Sequence, residues 1–211
     1  MRDARKAAGL VLTLALAGAV PALAFLSPLS STAIRDAYFI GTRNDQQTRD
    51  FLAQYQHEFP EPGTGPYVHD IGIETPFVHV IHAAQGDANM HAPDAVEQFQ
   101  NMPFDVILHV SIWTTQTYSP GPEVLPQLYQ WVPDFWNDFT VQLIQGRQVV
   151  EPKGKRGGPV FVYFGETPAV VGARLELSYD SASLESAPVK VEVLTPDRQK
   201  VETTFDLGKL R

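Results

Sequence analysis

The chain has no cysteine among its 211 residues. That excludes disulfides, thiol nucleophiles, thiolate metal ligands and lipid attachment at a cysteine. Such a body must rely on its apolar core, which is feasible because a chain of this size buries roughly 70% of its surface on folding. Basic residues are also scarce, 16 Lys and Arg against 24 Asp and Glu, for a net charge of −8. This argues against a nucleic-acid binder, which normally carries a basic face, and it weakly disfavours adhesion to anionic lipid. Catalytic signatures are missing too. There is no Gly-x-Ser-x-Gly nucleophile elbow. Gly154-Lys155-Arg156-Gly157-Gly158 lacks the first glycine spacing of a phosphate-binding loop and the Ser or Thr after its lysine, so it reads as a solvated hairpin loop. No tract is of low complexity, and no repeat has a solenoid period.

The long apolar run of the chain lies at its start. Arg2, Arg5 and Lys6 form a basic leader, Ala7 to Val20 is apolar apart from Thr13, and Pro21 precedes Ala22-Leu23-Ala24. This is the pattern of a signal peptide over residues 1–24 cleaved after Ala24. The competing reading is an uncleaved anchor, because Ala7 to Leu26 is long enough to span a bilayer. Both place the body outside the cytoplasm, periplasmic or secreted, and contact with a membrane is expected only if the segment is retained. Residues 1–24 hold three basic residues and one acid, so cleavage leaves 187 residues at −10.

The mature chain is expected to divide into a linker and helical segment, 25–65, and a β body, 66–211. Ser31 or Thr32 caps a helix Ala33–Ile40 closed by Gly41, and Asn44 caps a second helix that runs to about residue 58. The turn-rich Pro60–Pro66 follows. Tyr67–Glu74 and Phe77–His82 read as strands, with a short helix near 93–100. Phe104 to Trp113 is the strongest signal in the chain. Phe104, Val106, Leu108, Val110 and Ile112 alternate with Asp105, Ile107, His109, Ser111 and Trp113, which marks a central strand with one fully buried face. Later strands are expected at 139–144, 148–150, 159–164, 173–180, 189–194 and 201–206, with a type I turn at Thr195-Pro196-Asp197-Arg198. Short strands parted by turns, each with a polar face, predict a mainly β protein. We expect an antiparallel β-sandwich, Ig-like in the broad sense, with a short N-terminal helical segment; a partly open β-barrel is the alternative.

Three groups of residues invite a chemical reading. Five of the six histidines fall between His69 and His109. His69, His79 and His109 form a metal site if their strands are neighbours, whereas His79 and His82 on one strand point to opposite faces. His69-Asp70-Ile71-Gly72 matches the metal pair of HD-type phosphohydrolases, but that chemistry needs a helical bundle and this tetrapeptide sits in a strand pattern. Asp87-Ala-Asn89 and the pair Asp134 and Asp138 are acidic loop positions without the spacing of a calcium loop. Finally, Trp113, Tyr118, Tyr129, Trp131 and Trp136 lie in or beside a proline-rich excursion. They line a groove for a glycan or peptide, or they close one end of the core.

The reading that these features support is an exported, non-enzymatic protein acting in binding or envelope-associated assembly. No catalytic residue is assigned, no cofactor is implied, and no nucleic-acid partner is expected. The runner-up is an exported hydrolase with a carboxylate or histidine-metal site, since a carboxylate pair is defined by geometry that a sequence does not display.

Overall fold

A computed structural model of the chain describes residues 27–102, 104–115, 134–164 and 166–211. Among these residues, nine strands form two antiparallel sheets. The larger has the order β1-β2-β3-β7-β6, built from Gln56–Glu58, Pro66–Glu74, Asp105–Thr114, Thr167–Asp180 and Gly154–Phe164. The smaller has the order β5-β4-β8-β9, built from Gln148–Val150, Thr140–Gln145, Pro188–Leu194 and Lys200–Asp206. All pairings within each sheet are antiparallel and, among the described residues, neither sheet closes on itself, so the fold is sandwich-like and not a closed barrel.

The central strand β3 has the two faces that its alternation dictates. Val106, Leu108, Val110 and Ile112 are fully buried, and they share one core with Leu175, Leu177 and Tyr179 of β7, Leu143 of β4, Val189, Val191 and Val193 of β8, and Phe205 of β9. A second apolar cluster is helical. It joins Ile34 and Ala37 of α1 (Ser31–Arg43), Phe77, Val80 and Ile81 of α3 (Pro76–Gly86), and Ala95 and Phe99 of α4 (Ala92–Phe99). Phe51 and Leu52 of α2 (Gln46–Leu52) pack against both clusters and join them.

Several boundaries depart from the sequence expectation. The segment 77–82, read as a strand, lies within helix α3. Thr75 is its N-cap, accepting from the Val78 N–H, and Pro76 occupies the first turn. A short apolar run does not distinguish a strand from a buried helix, and here the capping signal decides. Gly41 does not end α1. It lies inside the helix, where a Cβ would stand 2.5 Å from the Ile81 carbonyl oxygen, so its lack of a side chain permits the close approach of α1 to α3. The caps shift by one residue, to Ser30 for α1 and Asp45 for α2. The helical segment stops at a 3-10 turn, Ala53–Tyr55, and β1 replaces its expected last turn. The glycine-rich stretch from Gly154 is strand β6, paired with β7, not a loop.

Arg211 ties the helices to the sheets. The Arg211 N–H donates to the Tyr55 hydroxyl at 3.0 Å, and its carbonyl accepts from the Thr75 hydroxyl. Its guanidinium lies 4.3 Å from the Phe77 ring centroid and pairs with Asp36 at 3.0 Å.

One core group is unsatisfied: the buried Tyr179 hydroxyl has no hydrogen-bond partner among the described residues. Burial, with the Glu151 charge adding to it, holds this phenol above its ordinary range. An unpaired buried hydroxyl is a cost to the fold. Tyr179→Phe is therefore expected to leave urea-unfolding stability within about 1 kcal/mol of wild type, or to raise it. Leu175→Ala in the same core is expected to lose about 2–5 kcal/mol. A loss of the second size for Tyr179→Phe would mean that the hydroxyl has a partner.

Candidate functional site

The outer face of the larger sheet carries the polar residues that alternate with the core. Strand register arranges them in rows. Asp70 of β2 faces Ser111 of β3, which faces Arg174 of β7; Gly72 faces His109, which faces Glu176. Glu74 stands at the end of β2, directly before the cap of α3. Leu52, Tyr55 and Gln56 on one side, and Val78 and His82 of α3 on another, wall these rows into a recess of about 370 Å³. Gly72 presents no side chain to its floor.

Glu74 is the centre of the charge arrangement. Its side chain is 13% exposed, so it needs partners that compensate for lost water. Three imidazoles supply them. Nδ1 of His79 is 2.6 Å from Oε1, Nε2 of His109 is 3.3 Å from Oε2, and Nδ1 of His82 is 3.4 Å from Oε2. Burial alone pushes the Glu74 carboxyl up. The hydrogen bonds from His109, His79 and His82 outweigh that effect and hold it far below the usual carboxylate range. His109 continues the chain of contacts: its Nδ1 is 3.7 Å from Glu176 Oε1, and Glu176 is paired with Arg156 of β6. At 3.7 Å the contact with Glu176 is too long for a hydrogen bond and acts by charge alone.

The α-helical form of 76–86 explains why His79 and His82 meet one carboxylate. Three apart on a helix, they share a side; three apart on the expected strand, they would not. Of the three histidines expected to meet, His79 and His109 converge on Glu74, and His69 does not. The His69 ring lies 4.7 Å from the Trp113 ring, at a register shift in β2. Asp70, its neighbour in the His-Asp tetrapeptide, lines the recess instead. Among the described residues, no group of three or more His, Asp or Glu side chains is arranged to hold a metal ion. Asp87 is used locally, accepting from the Asn89 N–H at 2.9 Å.

The aromatic residues also part company. Trp136 is buried in the sandwich core beside Phe135, against Gly157 of β6, where a Cβ would stand 2.5 Å from its ring. Trp113 is 42% exposed. Tyr118, Tyr129 and Trp131 lie outside the described residues.

The sequence gives no local signal for Glu74, Arg174 and Glu176, and the strand expectation set His82 on the face opposite His79. The usable signal was Thr75-Pro76 ahead of an apolar stretch, which marks a helix start and places His79 and His82 on the side of the residue just before the cap. The pairing of Arg174 and Glu176 with the β3 residues depends on strand order, which no local pattern reports.

These contacts make stability depend on pH in a defined direction. The folded chain holds a proton at Glu74 less readily than the unfolded chain. The carboxylate therefore contributes stability above its ordinary value of 4.5, and loses it as pH falls through the lower folded-state value. Glu74→Gln is expected to reduce stability at neutral pH by about 1–3 kcal/mol. The gap from wild type should close as acid is added below pH 4.5; a gap that stays constant in denaturant melts would contradict the assignment.

The chain matches no protein-family model, no curated protein and no solved structure.

Proposed function

We propose that this is an exported, non-enzymatic binding protein, and that its recess takes a small ligand pairing a carboxylate with an apolar portion. Export rests on the signal pattern of residues 1–24. Among the described residues, no helix is long and apolar enough to cross a membrane.

The observation that carries the ligand reading is Arg174. It lines the recess, and its side chain makes no hydrogen bond or ion pair among the described residues, whereas its neighbours on this face, Lys153 and Arg156, are paired with Asp105 and Glu176. A guanidinium is suited to a carboxylate by its planar fork. Ser111 stands beside it in the strand register and lines the same recess. Leu52, Tyr55 and Val78 offer the apolar wall that a small-molecule site normally has. Asp70 shares the register row of Arg174, with Ser111 between them, and Glu74, farther along β2, is already engaged by histidines.

The hydrolase reading draws on one feature, the contact of His82 with Glu74 at the edge of the recess. A carboxylate-oriented imidazole is the usual frame of a general base. It is the second reading because no hydrogen bond joins that imidazole to a nucleophile among the described residues.

Benzoate serves as a probe, having a carboxylate and a flat apolar ring. In amide NMR titrations it is expected to shift Ser111, His109 and Arg174, with a dissociation constant of about 1 mM or tighter. Arg174→Gln is expected to weaken it on the order of tenfold, the scale of one charge-assisted hydrogen bond, without altering the melting temperature. Shifts confined elsewhere, or equal affinity in the variant, would refute the reading. Turnover of a panel of esters and glycosides that is lost in His82→Gln would favour the hydrolase.

A further inference from the structure

We propose that the recess is proton-switched: protonation of His82 and His109 turns its lining from net negative to net positive, so that it holds a small carboxylate in acid and releases it as pH rises. This rests on the carboxylate-binding reading above.

The charge count follows from the lining. Asp70 and Glu74 are acids, Arg174 is a fixed cation, and His82 and His109 are the two imidazoles. With both rings neutral the lining is −1, and with both protonated it is +1. Imidazole is the side chain that changes charge between about pH 5 and 8. Both rings are open to solvent protons, with His82 49% and His109 27% exposed.

The surrounding groups make the protonated state a structural one. On β2, Glu74 faces both rings. On β7, Glu176 faces the far nitrogen of His109 and is shared with Arg156 of β6. On α3, His79 takes the other oxygen of Glu74. On the 3-10 turn, the Tyr55 hydroxyl is occupied by the Arg211 backbone and adds no charge. Only as a cation does the His109 ring attract the carboxylates of both β2 and β7, through the 3.3 Å contact to Glu74 and the longer 3.7 Å ion pair to Glu176. When it is neutral, that charge attraction is lost from both. Glu74 remains ionised throughout this range because its carboxyl is held low, so the histidines alone carry the switch within the recess.

The test is benzoate affinity at about pH 5.5 and pH 8, measured by amide NMR on the full chain, with near-UV circular dichroism confirming the fold at both. Benzoate stays ionised across this interval. Wild type is expected to bind on the order of tenfold more tightly in acid, the scale of a two-charge change at a partly exposed site. His82→Gln, at an exposed ring, is expected to reduce that ratio to about half or less, and His82→Gln with His109→Gln to bring it within about twofold of unity. Should the double variant fail to fold, the single variant carries the comparison. Equal wild-type affinity at both pH values, with shifts mapping to the recess, would overturn the switch and leave the binding reading intact. No benzoate shift at either pH would overturn both. A ratio unchanged in His82→Gln would also overturn the switch.

Discussion

The two faces of β3 are the constraint from which the rest of the molecule follows. Val106, Leu108, Val110 and Ile112 must be dry, and the smaller sheet exists to cover them. That commitment forces His109, Ser111 and Trp113 to the other side. Register then brings Asp70 and Glu74 from β2, and Arg174 and Glu176 from β7, to the same outer surface. A single-residue slip of either neighbour would exchange these polar groups for core residues. The recess is thus a consequence of the sandwich, with its floor set by the same alternation that sets the core.

The walls answer to a second requirement. Glu74 is largely removed from water at the point where β2 becomes α3. It is tolerated there because His79, His82 and His109 surround it. Helix α3 is doubly committed. Its Phe77, Val80 and Ile81 enter the helical core, while His79 and His82 turn toward the sheet. Residue 211 reinforces the same junction through Tyr55, Thr75 and Phe77. Core packing and the charge cluster therefore meet at one corner, which is why a substitution at Glu74 is informative about both.

How much of this is legible in the sequence depends on the range of the interaction. Period-2 alternation located β3 and the strands of the last forty residues, because one buried face prints itself directly on the residue order. The hairpin around Gly146 was legible from its turn. Helix α3 was not, since Phe77–His82 is short and apolar in either form, and the wrong period separated His79 from His82. The second half of β6 was legible as the strand 159–164, but its first half, residues 154–158, was hidden by glycines that suit a loop equally well. The convergence of β2, β3, α3 and β7 on one recess is a property of sheet order, and the histidine grouping hinted at it without naming Glu74. Trp136 shows the same limit from the other side: aromatic character alone does not tell a groove from a core, and here burial against Gly157 decides it.

The recess depends on one carboxylate, Glu74, gathering three imidazoles. Ring-resolved NMR of the histidines, comparing wild type with Glu74→Gln at fixed pH, tests it most directly. The ring resonances of His79, His82 and His109 are expected to move together, while those of His57 and His69, which do not touch Glu74, stay in place. Unchanged resonances for all three in the folded variant would contradict the cluster and the recess built on it.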